Sequence, residues 1–210
     1  PVAPIDEASA SASPGPSSSP PPSRSPASVA LVAYPPRQGG AKLPGFVDFR
    51  DKIFAAAKAK DADALAALAD PKVNLDFGGG AGIDGLKKRL SDPKGRLWDG
   101  IAALSGLGCA VDGGIATMPW IFSRLPESVE DASTAMLGTG ADIALREKPA
   151  AEAKVVRMLA WPLVEIVGTR FGPKAAFSEV RLRNGERGFI ETARLRSVHD
   201  YRLIADRQGG

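Results

Sequence analysis

From Phe46 onward, apolar positions recur first at helical spacing and later at strand spacing. Phe46, Phe49, Ile53 and Phe54 follow the three-and-four step, as do Leu65 and Leu68, and the dense alanine between them favours helix. The spacing predicts two helices over 46–69. Asp61 and Asp63 sit at the break, where an N-cap stops one helix and starts the next, and Pro71 closes the second. Val73-Asn74-Leu75-Asp76-Phe77 alternates and predicts a strand, followed by a Gly78-Gly79-Gly80 turn. Further helices are expected over 83–90 and 97–107. The first carries Lys87, Lys88 and Arg89 near its C-terminus, where the helix dipole favours cations. Residues 115–122 are apolar and aromatic around Pro119, and 126–135 read as an acidic loop.

The period then shortens. Runs at 143–146, 155–159, 163–167, 177–183 and 187–190 are rich in β-formers and separated by Pro149, Trp161-Pro162, Gly172-Pro173 and Asn184-Gly185. Asn-Gly between alternating runs is a strong hairpin signal. Five short strands within about 55 residues predict a small β-barrel. In the 177–183 run, alternation turns Val180 and Leu182 to the core and Arg181 and Arg183 outward.

Charge divides at the same place. Residues 141–210 hold 13 Lys and Arg against 9 Asp and Glu, whereas 46–140 hold 11 against 13. The expected fold is α+β: a disordered Pro/Ser/Ala-rich linker over 1–45, a small α-rich domain over 46–140 with one or two strands, and a small β-barrel over 141–210 that folds alone. The apolar run Ser28-Val29-Ala30-Leu31-Val32-Ala33-Tyr34, closed by Pro35-Pro36, is either an edge strand docked on the first domain or the end of the linker.

Composition narrows the chemistry. One cysteine excludes an intramolecular disulfide framework and a thiolate-rich zinc site, and one histidine excludes a multi-histidine metal site. No apolar run approaches the ~18 residues that suggest a membrane span. A net charge of +3 is too slight to point to nucleic acid. The chain starts Pro1-Val2-Ala3-Pro4, and Pro, Ser and Ala dominate through Pro26, a stretch too poor in large apolar groups to offset its ordering entropy. Such a tether suggests an exported protein, periplasmic or secreted.

Residues 141–197 resemble the bacterial SH3-like domain. Leu145-Arg146 followed by Pro149 matches its opening, Val155-Val156 and Val164-Glu165-Ile166-Val167 its next strands. Phe177 through Val180 and Asn184-Gly185 to Gly188-Phe189-Ile190 match its closing pattern W-x-x-V-x-x-x-x-G-x-x-G-W-V, and Leu195 matches the last apolar position. Both family tryptophans are phenylalanine here, without the indole N–H donor. The resemblance implies a β-barrel in which exposed aromatics help hold cell-wall peptide or another ligand. Further upstream, Asp61-x-x-Ala64-Leu65-x-x-Leu68-x-x-Pro71-x-Val73 looks like the start of nuclear-transport-factor-2-like domains, without the long curved sheet that continues that family.

Candidate site residues follow from these patterns. Phe177, Arg181, Arg183 and Phe189 form an aromatic and basic ligand-binding face beside the last hairpin, within a cluster that includes Arg187, Arg194 and Arg196. The expected partner is peptidoglycan or another anionic envelope component, with no nucleic acid, no metal and no cofactor. Gly80-x-Gly82-x-x-Gly85 fits a dinucleotide loop, but Pro93 and Gly95 cut the following helix short and no acidic strand end follows, so it reads as a loop. Cys109 reads as a buried thiol and not as a partner of His199. Trp98, Trp120 and Phe122 read as core. The expected function is binding or scaffolding without catalysis. The alternative is a cell-wall hydrolase or accessory enzyme drawing on Asp76, Asp84, Asp99 or Asp112 in residues 46–140.

Overall fold

The computed structural model describes residues 31–206, except 77, 79 and 169–174. The linker up to residue 30, Phe77 of the expected strand, Gly79 of the glycine turn and the Gly172-Pro173 turn therefore lie outside the described residues. The chain is α+β.

Helices come first. α1 (Phe46–Ala59) and α2 (Ala62–Ala67) meet at Asp61, whose carboxylate accepts the Ala64 N–H at 2.9 Å and caps α2. α3 (Gly82–Leu90) and α4 (Leu97–Ala103) follow, with the last turn of the expected fourth helix tightened to 3-10 over Leu104–Gly106. Ile53, Ala56, Leu65, Leu86 and Leu90 bury their side chains together and hold the helices to one another. Among the described residues, the strand expected over 73–77 is not formed. Asn74 makes only an isolated bridge to Ala81, because α3 begins at Gly82, the next residue, leaving no partner for a longer run.

A small antiparallel sheet joins β1 (Ala110–Asp112), β2 (Ile115–Met118) and β10 (Leu203–Asp206) in the order β1-β2-β10. Its inner face packs Ala116 and Met118 with Phe46, Leu104, Leu107 and Cys109.

The large sheet takes β3 (Ala135–Gly138), β4 (Ile143–Arg146), β5 (Val155–Leu159), β6 (Leu163–Ile166), β7 (Phe177–Arg181), β8 (Arg187–Glu191) and β9 (Leu195–Ser197). Its order is β5-β4-β8-β7-β6-β3-β9, so the sheet is open, with β5 and β9 as its two edges. The β7–β8 hairpin turns at Asn184-Gly185, where Gly185 takes a φ of +85° and its N–H donates to Leu182 at 2.9 Å. Met136, Ile143, Leu145, Leu159, Val164, Val180, Leu182 and Ile190 form one buried cluster, with Leu195 against it, so the inner face packs on itself.

Three pairings cross the boundary drawn at 140/141 from the sequence. β3 lies between β6 and β9, and β10 leaves the C-terminal segment to pair with β2. Residues 31–45, read as linker, are tied down at three points. The Tyr34 N–H donates to the Trp161 carbonyl at 2.8 Å, the Gly39 N–H to Cys109 at 2.8 Å, and the Cys109 N–H returns to Arg37 at 2.7 Å. Gly40 is buried where a Cβ would meet the Phe46 ring and the Cys109 sulfur at 2.6–2.7 Å.

Candidate functional site

Alternation along β7 sends Ser178 and Val180 inward and leaves Phe177, Glu179 and Arg181 on the outer face. The buried Ser178 hydroxyl is satisfied by Thr192 at 2.8 Å. Across the hairpin, Phe189 stands opposite Glu179 and also opposite Arg146 of β4, while Arg187 stands opposite Arg181. Phe177 faces Glu191, which makes the two phenylalanines diagonal neighbours, both half-buried.

The arginines expected to make an open basic patch are mostly engaged. Arg181 donates through Nε at 3.0 Å and Nη2 at 2.5 Å to Glu165 of β6, and this carboxylate raises the guanidinium above its ordinary value. Arg187 meets Glu179 at 3.9 Å, and Arg194 meets Asp142 at 2.5 Å. Arg196 is half-buried, meets Asp200 at 3.2 Å and donates to the Tyr201 carbonyl. Burial pushes it below its ordinary value, and its Nε has no partner among the described residues. Arg183 differs. It is half-buried just beyond β7 and makes no hydrogen bond or ion pair among the described residues.

Arg183 lines a cavity of about 30 Å³ between the 126–134 loop and the β6–β7 pair. Ala135, Leu163 and Leu182 supply apolar wall, Ser128 and Val129 the loop side, and the Arg181–Glu165 pair the remaining side. The structure thus brings Arg181 and Arg183 to one cavity and leaves Phe177 and Phe189 on the outer face, away from it. Sequence reasoning did not find Ser128, Val129 or Glu165. Only Glu165 left a signal, as the outward residue between Val164 and Ile166 of a predicted strand.

The helical region holds a wider depression of about 540 Å³, lined by Leu75, Gly80, Gly85, Lys88, Arg89 and Asp92. The glycine motif sits here, with Gly82 at a φ of +80° starting α3. Its anion position is already filled by the protein itself. The Asp76 carboxylate pairs with Arg89 and accepts the Gly78 and Gly80 N–H groups at 2.7 and 3.0 Å. The Arg89 contact and then the two backbone donors push Asp76 down to about 2. Asp112 pairs with Arg124 at 3.2 Å, while Asp84 and Asp99 lie exposed in the first turns of α3 and α4. None of these four carboxylates lines either depression. Cys109 is buried in the small-sheet core and His199 is exposed beyond β9. Among the aromatics, Trp120 is buried beneath Arg37 at 4.5 Å, Trp98 donates its indole N–H to Leu90 at 2.9 Å, and Phe122 lies under Arg202 at 4.6 Å.

Among the described residues no group of three or more His, Cys, Asp and Glu gathers as a metal site, and no helix is long and apolar enough to cross a membrane. No family model, curated protein or solved structure matches this chain.

Proposed function

We propose that this chain is a non-catalytic binding or scaffolding protein of the bacterial cell envelope, periplasmic or secreted, whose large sheet is an SH3-like module in the form of a partly open barrel. It holds peptidoglycan or another anionic envelope component. The observation that carries this reading is the state of Arg183. Its neighbours Arg181, Arg187, Arg194 and Arg196 all meet carboxylates, and it alone of this cluster stands over a cavity without one among the described residues.

The fold reading draws support from the succession β4 to β8, which follows the runs that resemble the family, and from an inner face that packs on itself. Phe177 and Phe189, half-buried on the outer face of the hairpin, form an aromatic surface separate from that cavity. Export draws its support from the Pro/Ser/Ala tether. The hydrolase alternative finds no such support, since Asp76 and Asp112 are each tied to an arginine and none of its four carboxylates faces a depression described above.

Co-sedimentation of the full chain with purified sacculi tests the reading. Binding is expected to weaken between ~0.1 M and ~1 M salt, as the Debye length falls from ~10 Å to ~3 Å. It is also expected to weaken in an Arg181→Ser/Arg183→Ser double variant whose thermal melt is unchanged. Undiminished binding by that folded double variant would remove the arginine face as the site.

A further inference from the structure

We infer that the cavity beneath Arg183 is a pocket for one carboxylate carried on a small apolar group. The inference rests on the binding-module reading and narrows its ligand. Size, lining and charge each restrict the occupant. About 30 Å³ exceeds the ~10–15 Å³ that admits one water, so it has room for a small group such as a carboxylate or a methyl. Ala135, Leu163 and Leu182 are buried apolar residues and favour an aliphatic stub over a hydrated ion.

The charge is asymmetric. Arg181 is held by Glu165, whose Oε2 receives both of its hydrogen bonds, so that pair closes one side of the cavity. Glu130 also acts on Arg181, although no ion pair joins them. Arg183 retains its planar donor fork, which matches a carboxylate in two parallel hydrogen bonds, and Ser128 also lines the cavity. The same chemistry is offered by a peptide ending in a small residue and by a free short-chain acid.

The test is an NMR titration of the full chain with N-acetylalanine, N-acetylalaninamide, N-acetylphenylalanine and propionate. N-acetylalanine is expected to shift the amides of Ala135, Leu163 and Leu182 saturably at millimolar concentration, with the amide and the phenylalanine compound far weaker. Tighter binding of N-acetylalanine than of propionate assigns the pocket to a peptide terminus, and the reverse order to a free acid. Arg183→Gln is expected to weaken binding about 10- to 100-fold, the loss of one charge-assisted contact, with Arg183→Lys between the two. Equal shifts from N-acetylalanine and its amide, or full binding by a folded Arg183→Gln chain, would overturn the pocket. Sacculus binding separates the two ideas. If sacculi bind while N-acetylalanine does not, the pocket falls and the envelope reading stands. If N-acetylalanine binds while sacculi do not, the envelope reading falls and the pocket stands.

Discussion

The two depressions described above differ in the opposite sense to their size. The wide one beside α3 is lined by two cationic residues and by Asp92, and Arg89 is paired with Asp76 while Lys88 is exposed. The small one beside β7 is lined by Arg183, a half-buried residue with no hydrogen-bond or ion-pair partner among the described residues. Folding has completed the electrostatics of the first with the chain's own carboxylate and left the second open. A cleft's volume says where a ligand fits, whereas a charge that meets no opposite charge says what a ligand could bring.

The contrast extends to how the regions are built. The helical core joins residues near one another in sequence, while the large sheet draws β3 and β9 together across more than half its span. The largest expected effect follows. A fragment of residues 141–210 lacks β3, leaving both β6 and β9 without the strand that joins them. It is expected to show no cooperative thermal transition by circular dichroism. A fragment of residues 125–200 restores β3 together with Leu125, Val129 and Ala132, which pack beside it, and is expected to melt cooperatively. A cooperative melt of the shorter fragment would show that β3 is an accessory to the sheet.

This is also where the sequence was least legible. Ala135-Met136-Leu137-Gly138 is buried at all four positions, so β3 has no alternation to announce it. β1 and β2 did leave a signal, because Gly113-Gly114 between Asp112 and Ile115 is a two-residue hairpin loop. α1, α2 and the β7–β8 hairpin were readable because caps, period and Asn184-Gly185 act locally. The candidate site was half readable. Alternation placed Arg181 outward, but nothing local could show that Glu165, or for Arg194 the distant Asp142, would meet these arginines once the strands paired.

A pair of glycines sharpens the comparison at the scale of single methyl groups. In β8, a Cβ on Gly188 would meet the Arg146 carbonyl and the Leu145 side chain at 2.8 Å, and the backbone carbonyl cannot move aside. Gly188→Ala is expected to destabilise by about 1–3 kcal/mol in urea melts, as overpacking does. In α3, a Cβ on Gly85 would meet only the Leu75 side chain at 3.2 Å. Gly85→Ala is expected to stabilise by up to ~1 kcal/mol through helix propensity. Opposite signs would mean that the helical region has slack the sheet lacks.

Strong acid should break the Asp76–Arg89 contact beside the wide depression. The folded value of Asp76 lies near 2, below the ordinary 3.8, so its contacts stabilise fully above pH ~4 and are lost as pH falls toward 2. Hydrogen exchange of the Gly78 and Gly80 amides, both held by this carboxylate, is expected to quicken across that window relative to the intrinsic rate, and Asp76→Asn to remove the pH step. An unchanged step in Asp76→Asn would place the titrating group elsewhere.

The smallest expected effect concerns the ion pairs that surround Arg183. Arg181 and Glu165 are both well exposed to solvent, at 49% and 36% of their side-chain surface. A double-mutant cycle of Arg181→Ser and Glu165→Ala is expected to give a coupling of about 0.2–1 kcal/mol, shrinking at high salt. That value makes the pair a screen that keeps Arg181 electrostatically quiet without holding the sheet together. The ligand consequence is then specific. In Glu165→Ala, Arg181 loses its carboxylate and the cavity gains a second unpaired cation, so binding of an anionic probe should strengthen while stability barely moves. A coupling well above 1 kcal/mol, with anion binding weakened in Glu165→Ala, would instead make the pair a structural clamp that positions Arg183, and the two arginines would have to be treated as one unit.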